Sequence, residues 1–118
     1  MAIYNKGIDV LHSSLSGSQD GAYIYGPSSG SNAITSLMLC NNSLSDITVS
    51  LYAVQSGYDP YNQPETTIVS KLVVPSGETV SFDQEKLVLG AGDSLQATAS
   101  VVWSAGLGVS ATVSTLPV

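Results

Sequence analysis

Ala33-Ile34-Thr35-Ser36-Leu37-Met38-Leu39-Cys40-Asn41-Asn42-Ser43, followed at once by Asp46-Ile47-Thr48-Val49-Ser50-Leu51-Tyr52-Ala53-Val54, decides how this chain folds. In the second half Ile47, Val49, Leu51 and Ala53 share one face while Thr48, Ser50 and Tyr52 share the other. That period of two is the signature of a half-buried strand. In the first half Leu37 and Leu39 alternate with Met38 and Cys40, so both faces are apolar and the strand belongs inside a sheet rather than at its edge. Between them, residues 41–46 supply Asn, Ser and Asp side chains that bond their own backbone and tolerate turn geometry. The stretch therefore reads as a central pair of strands joined by a short polar turn.

Working outward, residues 3–11 set Ile8 and Val10 against Asp9 and Leu11, a first strand or an extended arm within residues 1–20. Residues 13–21 are loop by composition, and Ala22-Tyr23-Ile24-Tyr25 is a short strand closed by Gly26-Pro27. Residues 55–63 form the longest irregular segment, holding Tyr58 and Tyr61 among turn formers. Residues 66–74 resume a strand, with Ile68 and Leu72 on one face and Val69 and Val73 on the other. Pro75-Ser76-Gly77 is a turn in which Pro fixes its backbone angle and Gly takes positive values. Strands follow over 78–82 and 87–89, then over 94–102, where Leu95, Ala97, Ala99 and Val101 oppose Gln96, Thr98 and Ser100. The last, 107–114, sets Val109, Ala111 and Val113 against Ser110, Thr112 and Ser114. No segment shows a helical period. Roughly eight short strands separated by turn signals predict a single all-β domain over 1–118, an antiparallel β-sandwich or jelly roll.

Composition narrows the function. Only 10% of the 118 residues are charged, against about a quarter in ordinary soluble domains. Either other chains cover part of a surface this poor in charge, or Ser and Thr simply occupy outward strand positions. The net charge is -6, with Lys6, Lys71 and Lys86 the only cations and no Arg. No basic patch for phosphates can be assembled from these, which excludes nucleic acid, and an anionic membrane surface is repelled. No apolar run approaches the roughly 20 residues that span a bilayer, and residues 1–6 lack the apolar segment of a signal peptide. Cys40 is the one cysteine, so no internal disulfide forms, and a place in a strand predicts a small buried hydrophobe. These features point to synthesis in a reducing cytoplasm.

Reactive constellations are equally sparse. Nucleophilic catalysis needs a base held against the nucleophile, and His12, the one histidine, sits beside a serine loop. One His and one Cys far apart cannot supply four metal ligands. Asp83 and Glu85 are the closest pair of carboxylates, and with Lys86 beside them they read as a solvated turn rather than a calcium loop. Gly90-Ala91-Gly92 has no strand-to-helix context for a phosphate loop. Asn41-Asn42-Ser43 spells a glycosylation acceptor, discounted without a secretory signal. No catalytic, cofactor-binding or metal residue is expected, and the chain does not read as an enzyme.

Ser36-Leu37-Met38-Leu39-Cys40-Asn41-Asn42-Ser43 with Ile47-Thr48-Val49, then Ser76-Gly77-Glu78-Thr79, then Glu85-Lys86-Leu87-Val88-Leu89 with Gly92-Asp93-Ser94-Leu95-Gln96-Ala97, resembles small all-β virion structural proteins of tailed phages, cyanophages among them. The resemblance covers most of residues 34–113 and rests on turn-and-strand motifs. It implies an all-β particle component, and the leading reading is a capsid cement or decoration protein, a homotrimer on the capsid surface that binds across joints between major capsid protein subunits and stabilises the shell. A tail, neck or fibre component is the alternative, and a carbohydrate-binding module with Trp103, Tyr58 or Tyr61 stacked on a sugar is the third reading. Termini and long loops are free to reach neighbours. The expected partner contacts are accordingly Ile3, Tyr4, Ile8 and Val10 near the start, Tyr58 and Tyr61 in the loop, and Leu116 and Val118 in the tail.

Overall fold

The structure, a computed structural model, describes residues 2–8, 23–27, 29–57, 67–82, 87–101, 103–104 and 106–118. Among them are nine strands: β1 Ala2–Gly7, β2 Tyr23–Tyr25, β3 Asn32–Asn41, β4 Ile47–Val54, β5 Thr67–Val74, β6 Thr79–Phe82, β7 Leu87–Leu89, β8 Ser94–Ala99 and β9 Val109–Pro117. They form two antiparallel sheets, a five-stranded one in the order β1-β9-β3-β6 with β7 also on β3, and a four-stranded one in the order β2-β8-β4-β5. β6 and β7 pair with successive stretches of β3, residues 37–40 and 32–34, and so act as one interrupted strand. Apart from the links β4 to β5 and β6 to β7, every connection then crosses from one sheet to the other. That wiring is the jelly-roll arrangement of a β-sandwich.

β3 takes the inner place its two-sided apolarity predicts, between β9 and the β6 and β7 pair. Its turn does not fold back into a hairpin, however. β4 belongs to the other sheet, so residues 42–46 carry the chain across the sandwich. Asn41 holds that corner. Its side chain is fully buried; Nδ2 donates to the carbonyls of Ser45 and Val74, both at 2.8 Å, and Oδ1 accepts from Ser43 N at 2.9 Å and Ser43 Oγ at 2.8 Å. A polar group taken wholly from water in this way is tolerated because its hydrogen-bonding capacity is met. The same burial makes Asn41 inaccessible as a glycosylation acceptor.

Alternation places the core. Leu37, Leu39, Val109, Ala111 and Val113 face Val49, Leu51, Leu95, Ala97 and Ala99 across the sandwich, each at most 6% exposed. Fully burying each of the larger side chains contributes about 1.5–3 kcal/mol.

Four local readings are corrected by this packing. Cys40 is only half-buried, because it stands with Ser110 on the outer side of the five-stranded sheet. Val101 lies beyond the end of β8 and is exposed. Gln96, placed by alternation opposite the core, is nonetheless buried, as is Ser94, to whose Oγ Gln96 Nε2 donates at 3.0 Å. In β5 the parity changes part-way: Val49 pairs with Leu72 but Leu51 with Val69, so β5 carries one residue more than β4 over that step. Lys71 takes up the extra residue in a left-handed conformation, φ 56°, and its N–H donates to Ser50 Oγ. Such a bulge reverses the faces beyond it, and Val69, not Ile68, shares the inward side with Leu72. An edge strand that bulges and carries a lysine is also a poor template for another chain.

Beside β5 a cleft of about 260 Å³ opens between the sheets, lined by Ile34, Leu37, Leu51, Val69, Phe82 and Leu95 among others. Filling apolar space of this kind commonly adds about 0.5–2 kcal/mol. Val69→Leu is expected to raise the thermal midpoint; a lowered midpoint by circular dichroism would show that the cleft walls cannot accept the extra methylene.

Candidate functional site

With the inner face committed to the core, function must come from the outer faces, the edges or the recesses. The outer face of the five-stranded sheet follows from the register. β1 contributes Ile3, Asn5 and Gly7, set opposite Ser114, Thr112 and Ser110 of β9. Next comes β3 with Ser36, Met38 and Cys40, opposite those same serines and threonine, and with Ala33 opposite Leu116. β6 and β7 complete the face with Thr79, Ser81 and Val88. None of these residues carries a charge.

The face has three zones. At one end Val88, Ala33 and Leu116 lie side by side across three strands, with Ile3 diagonal to Leu116. Three of these four are well exposed, Ile3 at 65%, Val88 at 61% and Leu116 at 44%. In the middle Thr112 Oγ1 bonds Asn5 Oδ1 at 2.9 Å, beside Met38, which is exposed. At the far end the indole of Trp103 lies on Gly7, so closely that a Cβ there would overlap Cγ, Cδ2 and Cε2 of the ring. One side of Trp103 is thus occupied by the sheet.

The expected contact residues divide accordingly. Ile3 and Leu116 meet on this face because the first strand pairs antiparallel with the last, and Val118, 72% exposed, follows at the same end with its N–H bonded to Ser31 O. Residues 2–7 are a strand, the rest of the expected arm to residue 20 lies almost wholly outside the described residues, and at the other end pairing runs to Pro117, with Thr115 buried. Tyr4 is exposed but belongs to the opposite side of β1, where its ring meets Tyr25. Ile8 is corrected: it is fully buried, its N–H bonded to Val109 O, so its side chain serves the core and offers nothing to a neighbour. Val10, Tyr58 and Tyr61 lie outside the described residues. Met38 and Val88, not among the expected residues, are also exposed on this face; alternation sets Met38 opposite Leu37 and Leu39, and Val88 opposite Leu87 and Leu89.

Among the described residues no three His, Cys, Asp or Glu side chains cluster closely enough to hold a metal ion, and no helix is long and apolar enough to cross a membrane. The described carboxylates act in turns: Asp93 accepts from Ser56 N and Gly90 N, and Asp46 from Ser76 N, all between 2.9 and 3.0 Å. A comparison with protein-family models finds no match, and neither does one with curated proteins.

Proposed function

We propose that the protein is a non-enzymatic structural component of a tailed-phage virion, a cement protein that adheres to the major capsid protein through the outer face of its five-stranded sheet. One observation carries the reading. A chain of net charge -6 sets no charged side chain at the described outward positions of this sheet while exposing Ile3, Met38, Val88 and Leu116 there. Exposed apolar area rimmed by small polar groups marks protein interaction surfaces. Depletion of charge at the centre of an interface lowers the desolvation penalty on docking. Jelly rolls recur in capsid and lectin domains, an analogy of fold that leaves function to the surface. The assignment to a phage shell, and the trimer, come from the resemblance of the strand and turn motifs. Repeated copies on a lattice would add avidity to a modest single contact.

The test mixes purified protein with empty expanded capsids. Binding in a fixed ratio and a raised capsid disruption temperature are expected. Met38→Glu and Ile3→Glu should each weaken binding by about tenfold or more, since a buried unpaired carboxylate is costly. Their own folding stability should change little, because both sites are exposed surface. Val73→Glu, the same charge change on the outer side of β5, should bind as the parent does. Antibody signal confined to the tail of intact particles would replace the cement reading with a tail, neck or fibre role.

A further inference from the structure

The side of the sandwich where β1 and β2 approach each other holds a recess of about 350 Å³, lined by Tyr4, Ile24, Tyr25, Pro27, Ser29 and Asn32. It lies away from the uncharged sheet face, since Tyr4 points to the other side of β1 from Ile3. We propose that this recess binds a single neutral sugar ring.

The chemistry of the walls selects the ligand. Tyr4 and Tyr25 stand with ring centroids 4.6 Å apart and planes tilted by 39°. Tyr4 is 41% exposed and presents aromatic surface to the recess, while Tyr25 is 6% exposed and fixed. The negative face of such a ring attracts the partly positive C–H groups of a pyranose. The amide of Asn32 donates through Nδ2 to the Tyr25 hydroxyl. A phenol that accepts still has its own proton to give, and the carboxamide retains its carbonyl oxygen as an acceptor. The exposed Ser29 hydroxyl adds a group that does both. Paired donors and acceptors around an aromatic face match a ring bearing adjacent hydroxyls.

Charge narrows the class further. None of the described lining residues is a cation, so these walls themselves offer phosphates, uronic acids and other anions no counter-charge. Ligand recesses usually span about 300–1,000 Å³. This one sits at the small end, suited to one ring and not to a long oligosaccharide groove. Its walls are already positioned, because the phenol is held by the amide and the two rings brace the edges of both sheets. Little ordering is then left for binding to do.

The test is a nuclear magnetic resonance titration of the 15N-labelled chain with the methyl glycosides of glucose, galactose, mannose and N-acetylglucosamine, with methyl glucuronide as the charged comparator. Saturable shifts confined to residues 3–5, 23–27 and 29–33 are expected with at least one neutral glycoside, and none with the glucuronide. Asn32→Ala and Tyr4→Leu should each weaken that binding by about tenfold, the worth of one hydrogen bond or one stacked ring. Tyr4→Leu keeps apolar bulk on an exposed strand, so it remains informative if Asn32→Ala disturbs β3. Absence of saturable shifts with all four neutral sugars would overturn the proposal. So would binding unchanged in Tyr4→Leu, or glucuronide bound as well as its neutral counterpart. Capsid binding by Tyr4→Leu should match the parent, so this proposal and the assembly role fail independently.

Discussion

Asn41→Leu is expected to lower stability by about 3 kcal/mol, although leucine has nearly the same size and the site is fully buried. The change removes two donors and an acceptor at once. Val74 O loses its amide partner inside the protein, Ser43 N loses its acceptor nearer the surface, where water can replace it, and Ser45 O keeps the Ser43 hydroxyl at 2.9 Å. The buried carbonyl therefore dominates the loss, with the corner between the sheets no longer held in one conformation. For a domain of this size that loss corresponds to a fall of roughly 10–20 °C in the thermal midpoint. Asn42→Ala is the informative comparison. Asn42 also bridges backbone, accepting from Gly108 N at 3.0 Å and donating to Gly106 O at 2.7 Å, but it is exposed and should cost only about 1 kcal/mol. Thermal denaturation that ranks Asn42→Ala as the more damaging change would refute the role assigned to Asn41.

Gly7→Ala carries the second large effect. The added methyl would occupy the space of the Trp103 ring, and a fused aromatic ring cannot yield as the end of a flexible chain does. Either the indole leaves the sheet or β1 shifts from β9, and overpacking of this kind costs about 1–3 kcal/mol. Because Trp103 is the one tryptophan, its fluorescence reports the outcome directly. A red shift is expected in Gly7→Ala as the ring moves into water. In the Trp103→Ala background the same glycine change should cost much less, a coupling that a double-mutant cycle measures. Additive losses would mean that the glycine is needed for some other reason than the ring above it.

The strands were legible because their outward and inward residues differ in kind. Ile47, Val49 and Leu51 against Thr48 and Ser50, and Val109, Ala111 and Val113 against Ser110 and Thr112, fix both the period and the buried side. Two-sided apolarity likewise marked β3 as interior. What local pattern could not show is which sheet a strand joins. Asn41 to Asp46 has the composition of a tight turn whether it closes a hairpin or crosses the sandwich, and only pairing with β9 and β8 tells the two apart. The bulge in β5 was hidden for a different reason. A lysine at φ 56° leaves no mark in the sequence, where glycine or asparagine would have signalled a left-handed residue. Ile8 looked like part of a contact arm because its strand was read alone. The backbone bond to Val109 carries it into the core instead. The uncharged face was half visible, since Ile3, Leu116 and Val118 are apolar residues near the ends. Their meeting depends on a pairing between the first and last strands, which no short window contains.

That pairing sets the order in which the protein can be made. β9 lies between β1 and β3, so the last of the nine described strands to be synthesised is an inner strand of the five-stranded sheet. Until it emerges from the ribosome, β1 has no ladder to join and β3 waits with one side of its backbone unsatisfied. Topologies dominated by such distant contacts fold in milliseconds to seconds rather than microseconds. The nascent chain therefore passes through an interval in which two bare strand edges compete for whatever reaches them first, and the nine residues of β9 act as the keystone that ends it.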